Sequence, residues 1–262
     1  MDPNSVYLVA IEAMYKFAQA PWYRAVSTQT RITQAYSDVT IDVRRLQGAG
    51  VIYQLANCHV ILGLYSGILM MIEHSWWYDA VISLKVHGVV VGYISILGPQ
   101  QGTALNGTAA IPTAEVAAAR SLETPRVVRG RSFDPEDRSI QLEWTHQTEP
   151  STNMAQEAIY TAVLGGLADA AVYDPATLIS EVNATSATVG TGPSDYWCNF
   201  RISIDPDDGY PGPLTYYLVT KIFRDVAGYI MPEVQWFGEY DIELYYQQKL
   251  TAYVEVTKRD RD

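Results

Sequence analysis

Four histidines are the side chains best suited to moving a proton near neutral pH: His59, His74, His87 and His146. None stands in His-x-x-x-His, Cys-x-x-Cys or His-Glu-x-x-His spacing, so no metal centre and no metal cofactor is expected. His74 follows Glu73 directly. A carboxylate can orient an imidazole for acid–base work, which makes Glu73 and His74 the candidate catalytic residues. The same histidine at a helix C-terminus could simply face the last carbonyls. Cys58 adjoins His59, but helix neighbours point about 100° apart, so the cysteine is expected in the core rather than in a thiolate–imidazole pair.

Other constellations are weaker. Tyr217 and Lys221 have the Tyr-x-x-x-Lys spacing of short-chain dehydrogenases, yet no Gly-rich strand–helix turn exists to hold a dinucleotide. Glu239, Asp241 and Glu243 alternate and so share one face of a strand, where a solvated, edge-protecting face is the ordinary reading. Asp205-Pro-Asp-Asp-Gly209 lacks the distal glutamate of a calcium loop and reads as a turn. Neither Gly-x-Ser-x-Gly nor a phosphate loop occurs, and no cofactor is expected.

Composition narrows the partners. The 262 residues carry 18 Lys+Arg against 29 Asp+Glu, a net charge of −11, which would repel nucleic acid. With 48% hydrophobic residues the chain can bury a large core, and two cysteines make no disulfide scaffold. The first residues, Met1-Asp-Pro-Asn-Ser5, have neither the basic nor the apolar stretch of a signal peptide; the expectation is a cytoplasmic chain whose first helix is capped at Asn4 or Ser5. Two glycosylation-type triplets, at Asn106 and Asn183, carry little weight without an export signal. The real excess is aromatic, with 19 tyrosines and 6 tryptophans, side chains that favour interfaces and pockets.

The elements that must position these groups repeat. Ser5–Ile11 resembles Ala158–Leu164, each opening a run with helical apolar spacing that ends before Pro21 or Pro175. Val39–Val43 and Phe200–Ile204 alternate as strands. Val51-Ile-Tyr-Gln-Leu55 aligns with Leu214-Thr-Tyr-Tyr-Leu218 at the start of a second helix. Trp76-Trp77 then matches Trp236-Phe237, and hairpins follow with turns at Lys85–Gly88 and near Gln247–Lys249. The expectation is an α+β fold of two related helix–strand–helix–hairpin modules about a pseudo-two-fold axis, with helices packed on antiparallel or mixed sheet. The divisions are residues 1–97, a Gly/Ala/Pro-rich connection over 98–138, and residues 139–262, with an added strand at Ser139–Trp144 and an irregular loop over 183–194. Trp76, Trp77, Trp236 and Phe237 are candidate binding residues, either as symmetry-related recognition patches or as packing beneath the hairpins.

Leu46 to Ile72 holds 27 residues without a formal charge. Its polar residues and the charged counterpart containing Lys221, Arg224 and Asp225 argue against a membrane span. Val51 to Ile72 is therefore expected to be buried nearly all round, its counterpart exposing those three charges. The cover would come from the 98–135 connection, or from a second subunit burying Tyr53, Leu64, Tyr65 and Ile68.

The stretch Leu214–Val256, and less closely Val51–Ile96, resembles uncharacterised duplicated α/β proteins of filamentous fungi; the resemblance brings no catalytic motif and no function. The favoured expectation is a non-catalytic protein that binds or self-assembles through aromatic-rich surfaces, as a homo-oligomer. The alternative is a cofactor-independent isomerase, cyclase or hydrolase taking a small apolar molecule between the two modules.

Overall fold

The structure is a computed structural model, and it describes residues 1–48, 53–99, 126–186, 196–204 and 212–260. The chain begins with α1 (Pro3–Ala18), β1 (Gln29–Ile32), β2 (Thr40–Arg45), α2 (Asn57–His74), β3 (Ala80–Val86) and β4 (Val89–Leu97). A hairpin follows, β5 (Val127–Phe133) and β6 (Ile140–Gln147). Then come α3 (Gln156–Ala170), β7 (Glu181–Thr185), β8 (Tyr196–Ser203) and α4 (Tyr216–Asp225). After α4 a π-helical turn at Val226–Ile230 leads into α5 (Met231–Val234), β9 (Tyr240–Tyr246) and β10 (Lys249–Asp260). The α+β class holds. Among the described residues every strand pairing is antiparallel.

The first half forms a four-stranded sheet in the order β1-β2-β4-β3, and the second a six-stranded sheet in the order β5-β6-β9-β10-β8-β7. The run β7-β8-β10-β9 therefore repeats the first sheet's order, with each half adding a short strand, β1 or β7, absent from the sequence reading. The irregular loop expected from residue 183 gives way to strand β7 as far as Thr185. Both hairpins turn on two residues of positive φ, His87-Gly88 and Gln247-Gln248. That backbone hand matches the right-handed twist of the strands, and glycine takes it at least cost. Both hairpins also slip register at one place, Leu84/Lys85 and Leu250/Ala252.

The helices lie between the two sheets. α1 packs on β1 and β2, α2 on β3 and β4, and α3 on β7 and β8; α1 and α3 meet at the centre. α1 is buried on nearly every side because it touches α2, α3, α4 and its own sheet. Its cap is Asp2, whose side chain accepts from the Ser5 N–H at 2.9 Å, with Pro3 in the first turn, rather than Asn4 or Ser5. Gly63 and Gly67 let α2 approach the sheet closely: a Cβ at either would stand 2.4 Å from Leu84 Cδ2 or 2.3 Å from Ile82 Cδ1.

Two expectations change here. The 98–138 connection contains strand β5, and the β5–β6 hairpin extends the second sheet along β9. The three charges of α4 are not exposed: Lys221 and Arg224 are each 1% accessible and Asp225 is 3%. The second helices also align four residues later than the sequence suggested. The isolated bridges Ala25–Ala56 and Leu178–Thr215 put Leu55, not Val51, opposite Leu214. The extra residue between Thr215 and Trp236 is taken up by the π-helical turn, and the Gly228 carbonyl in that turn accepts from Gln34 Nε2 at 2.8 Å.

Candidate functional site

α4 carries its charges at Lys221, Arg224 and Asp225 because acceptors are delivered to it from the β5–β6 turn. Lys221 Nζ lies 2.8 Å from Asp134 Oδ2, and Arg224 Nη2 lies 2.5 Å from the same oxygen. Arg224 also reaches Glu136 at 2.9 Å and Asp225 at 2.8 Å. The Arg224 guanidinium sits 4.0 Å from the centre of the Tyr15 ring of α1, and the Tyr15 hydroxyl donates to Glu136 at 2.7 Å. Asp134 Oδ1 accepts from the N–H groups of Glu136 and Asp137, which shapes the turn itself.

Electrostatics favour the charged forms of Asp134 and Lys221. Burial pushes the Asp134 carboxyl up, but the Lys221 hydrogen bond and the Arg224 charge outweigh it and hold the carboxyl below its usual range. Burial would discharge Lys221, but Asp134 reverses that and raises the ammonium's pKa. A permanently charged lysine is no nucleophile. Burial pushes Asp225 up to about 8 despite Arg224 beside it. The cluster clamps the β5–β6 turn onto α4 and α1. The Tyr217–Lys221 spacing is part of that clamp, with Lys221 Nζ 5.4 Å from the Tyr217 ring centre.

The first half has no such cover among the described residues. Counting from the bridge pairs, Leu62 holds the place of Lys221, and Tyr65 and Ser66 the places of Arg224 and Asp225. The α2 flank through Leu62, Ser66 and Met70 is exposed, Leu62 by 49% and Met70 by 53%. Within the single chain one flank of this helix is therefore open; most of the connection expected to cover it, residues 100–125, lies outside the described residues. Leu64 and Ile68, expected at an oligomer interface, are fully buried beneath it. Tyr65 is half-buried, its hydroxyl toward Gly165, and Tyr53 is half-buried with its ring against His87. The signal in the sequence was the i, i+4, i+8 spacing of Leu62, Ser66 and Met70, hidden because two of them are apolar.

Trp76 and Trp236 diverge for the same reason. Trp236 is 8% exposed, its ring stacked 5.3 Å from His146 of β6, whereas Trp76 is 45% exposed and stacks 4.5 Å from His74. The two do not form matching recognition patches. Trp77 and Phe237 point inward, 5.5 Å from Tyr7 and 6.0 Å from Tyr160. Glu73 and His74 are exposed at the end of α2 and line neither cavity described below. Tyr78, exposed by 58%, has its ring 6.3 Å from that of Trp76, whereas Val81 of β3, exposed by 66%, lies on the face of the sheet away from α2, since Ile82 and Leu84 face the helix.

An open concavity of about 570 Å³ lies on the solvent face of the second sheet, among Arg129, Glu143, Asp241, Glu243, Tyr253 and Glu255. Three of its four acids are engaged with neighbours: Glu143 with Arg131, Glu255 with Arg201, Glu243 with Tyr245. A second hollow of about 260 Å³ lies beside Trp236 and Phe237. Among the described residues no three His, Cys, Asp or Glu side chains are grouped to hold a metal ion, and no helix is long and apolar enough to cross a membrane. Asp205–Gly209 and Asn106 lie outside the described residues. No family model, curated protein or solved structure matches the chain.

Proposed function

We propose that this chain is a non-catalytic binding or self-assembling protein, built from two duplicated modules about a pseudo-two-fold axis, and that it works through the apolar flank of the first module. The observation that carries the reading is the contrast between the exposed Leu62 and Met70 of α2, with Trp76 and Tyr78 exposed just past the end of that helix, and the equivalent flank of α4, covered by the β5–β6 hairpin. A contiguous exposed apolar surface beside aromatic residues marks an interaction site. The recurring strand order and the matched turns support the duplication. So do the paired backbone contacts in which the Met1 amino group donates to the Trp77 carbonyl and the Met154 N–H to the Phe237 carbonyl.

The test is light scattering after size exclusion, at micromolar protein, for the natural chain and for Leu62→Glu and Met70→Glu. Association that either variant abolishes, with the fold intact by circular dichroism, supports the reading. A natural chain that stays monomeric and binds no apolar probe at this flank overturns it.

A further inference from the structure

The β5–β6 hairpin adds a strand to β9, pairing Ile140–Thr145 with Asp241–Tyr246. By position in the sheet order, the first-half counterpart of β9 is β3, which pairs with β4 alone among the described residues. β3 is thus a seven-residue edge, and along Ala80–Lys85 it alternates partly buried or buried residues with exposed ones. An edge of this kind is a template for another strand unless something guards it. α2 lies over β3 and β4, and α1 over β1 and β2, so the bare flank of α2 borders the same open edge.

We infer that β3 is the dimerisation strand: a second copy of this chain adds its own β3 antiparallel to it, making one continuous eight-stranded sheet with the two α2 flanks side by side above it. The inference rests on the proposed binding role of this flank and names its partner. Three observations select a second copy. First, β3 is self-complementary. A two-fold axis at Ile82 sets Asp79 opposite Lys85 and Val81 opposite Ser83, and the relation holds twice by symmetry. Asp79, Val81, Ser83 and Lys85 are all exposed and lie at alternate positions, so they share one face, where opposite charges attract across strands. Second, a two-fold perpendicular to the sheet keeps both α2 helices on one side, so Leu62 and Met70 of each copy cover those of the other. Third, the second half already shows the geometry. There an added strand and its turn cover both the sheet edge and the helix flank, with Trp144 opposite Ile242, the counterpart of Ile82.

The experiment uses the full chain, with light scattering and sedimentation across a range of concentrations. The expected result is a dimer. Lys85→Asp sets acid against acid at both symmetry-related pairs and is expected to weaken dimerisation about tenfold or more; adding Asp79→Lys restores it. Because Asp79 also accepts from the Gly98 N–H at 2.7 Å, Asp79→Lys alone is checked by circular dichroism. A dimer that Met70→Glu dissolves but the charge reversals leave untouched overturns the β3 pairing and leaves the α2 reading standing. A natural chain monomeric throughout overturns the β3 pairing, and overturns the α2 reading as well if no apolar probe binds that flank. A dimer insensitive to all three changes places the contact elsewhere and overturns both as well.

Discussion

The rings of Tyr7 and Tyr160 stack 5.1 Å apart and 26° from parallel where α1 crosses α3. Each meets the edge of a further ring, Tyr7 that of Trp77 and Tyr160 that of Phe237. A four-ring ladder thus runs through the middle of the molecule, joining each helix to the start of its own hairpin. The ladder lies where α1 meets α3.

Tyr7 is 2% exposed, and its hydroxyl has no hydrogen-bond partner among the described residues. Removing the ring leaves a large cavity, and Tyr7→Ala is expected to cost about 3–5 kcal/mol. Removing only the hydroxyl relieves an unpaired buried group, so Tyr7→Phe should be neutral or stabilising. Urea denaturation midpoints of the two variants measure both.

Asp134 answers two buried cations at once, so Asp134→Asn leaves Lys221 and Arg224 undercompensated. The expected loss is about 3–5 kcal/mol. Glu136 touches the same cations, but its side chain is 58% exposed, and water replaces much of what it supplies. Glu136→Gln is expected to cost no more than about 1 kcal/mol. Equal losses for the two variants would contradict this division of labour.

Asp225 sets the alkaline behaviour. Its folded carboxyl is raised to about 8 from an ordinary 3.8, so the folded chain holds a proton that the unfolded chain has released. Its contribution to stability is fullest in acid and falls as pH rises through that interval, by up to about 1.4 kcal/mol per pH unit. Asp225→Asn removes this dependence. The variant should gain on the natural chain between pH 6.5 and 8.5, read as the difference between denaturation midpoints.

What the sequence disclosed divides along lines of distance. The hairpins were legible because alternation and a two-residue turn are local, and Gly88 marks one turn directly. The order of elements was legible from the Trp76-Trp77 and Trp236-Phe237 landmarks. The fate of Lys221 and Arg224 was not, because their partner Asp134 lies 87 and 90 residues away, in a stretch whose composition suggested only a connection. The hairpin strand β5 was missed for the same reason: Val127-Val-Arg-Gly-Arg-Ser-Phe133 alternates, but follows a Gly/Ala/Thr-rich run. Both errors inverted the two flanks, giving α2 the cover that α4 has.

Gly130 shows how closely that hairpin is fitted. A Cβ there would stand 2.0 Å from Trp144 Cζ2 on the neighbouring strand, within the ring's own atoms. Trp144 cannot yield easily, since it is also flanked by His146 and Tyr240. Gly130→Ala is expected to cost about 1–3 kcal/mol, and near-ultraviolet circular dichroism should register the displaced tryptophan.

His146 sets the acid behaviour of the same region. Its imidazole is 4% exposed, enclosed by Trp144, Trp236 and Tyr240, and neither ring nitrogen has a partner among the described residues. Burial lowers its pKa below the ordinary 6.5, outweighing a smaller opposing effect of the Gln147 backbone. The unfolded chain therefore takes up a proton that the folded chain refuses. The stabilising effect of the neutral ring is complete above pH 6.5 and is lost as pH falls from there toward the lower folded value. His146→Leu offers no site for that proton and keeps the apolar contacts. Between pH 7.5 and 5 the natural chain should lose more stability than the variant, while Asp134 and Glu136, both held below their usual range, titrate lower still. Parallel loss in the two proteins would mean that His146 finds an acceptor in acid and that the ring stack opens to supply it.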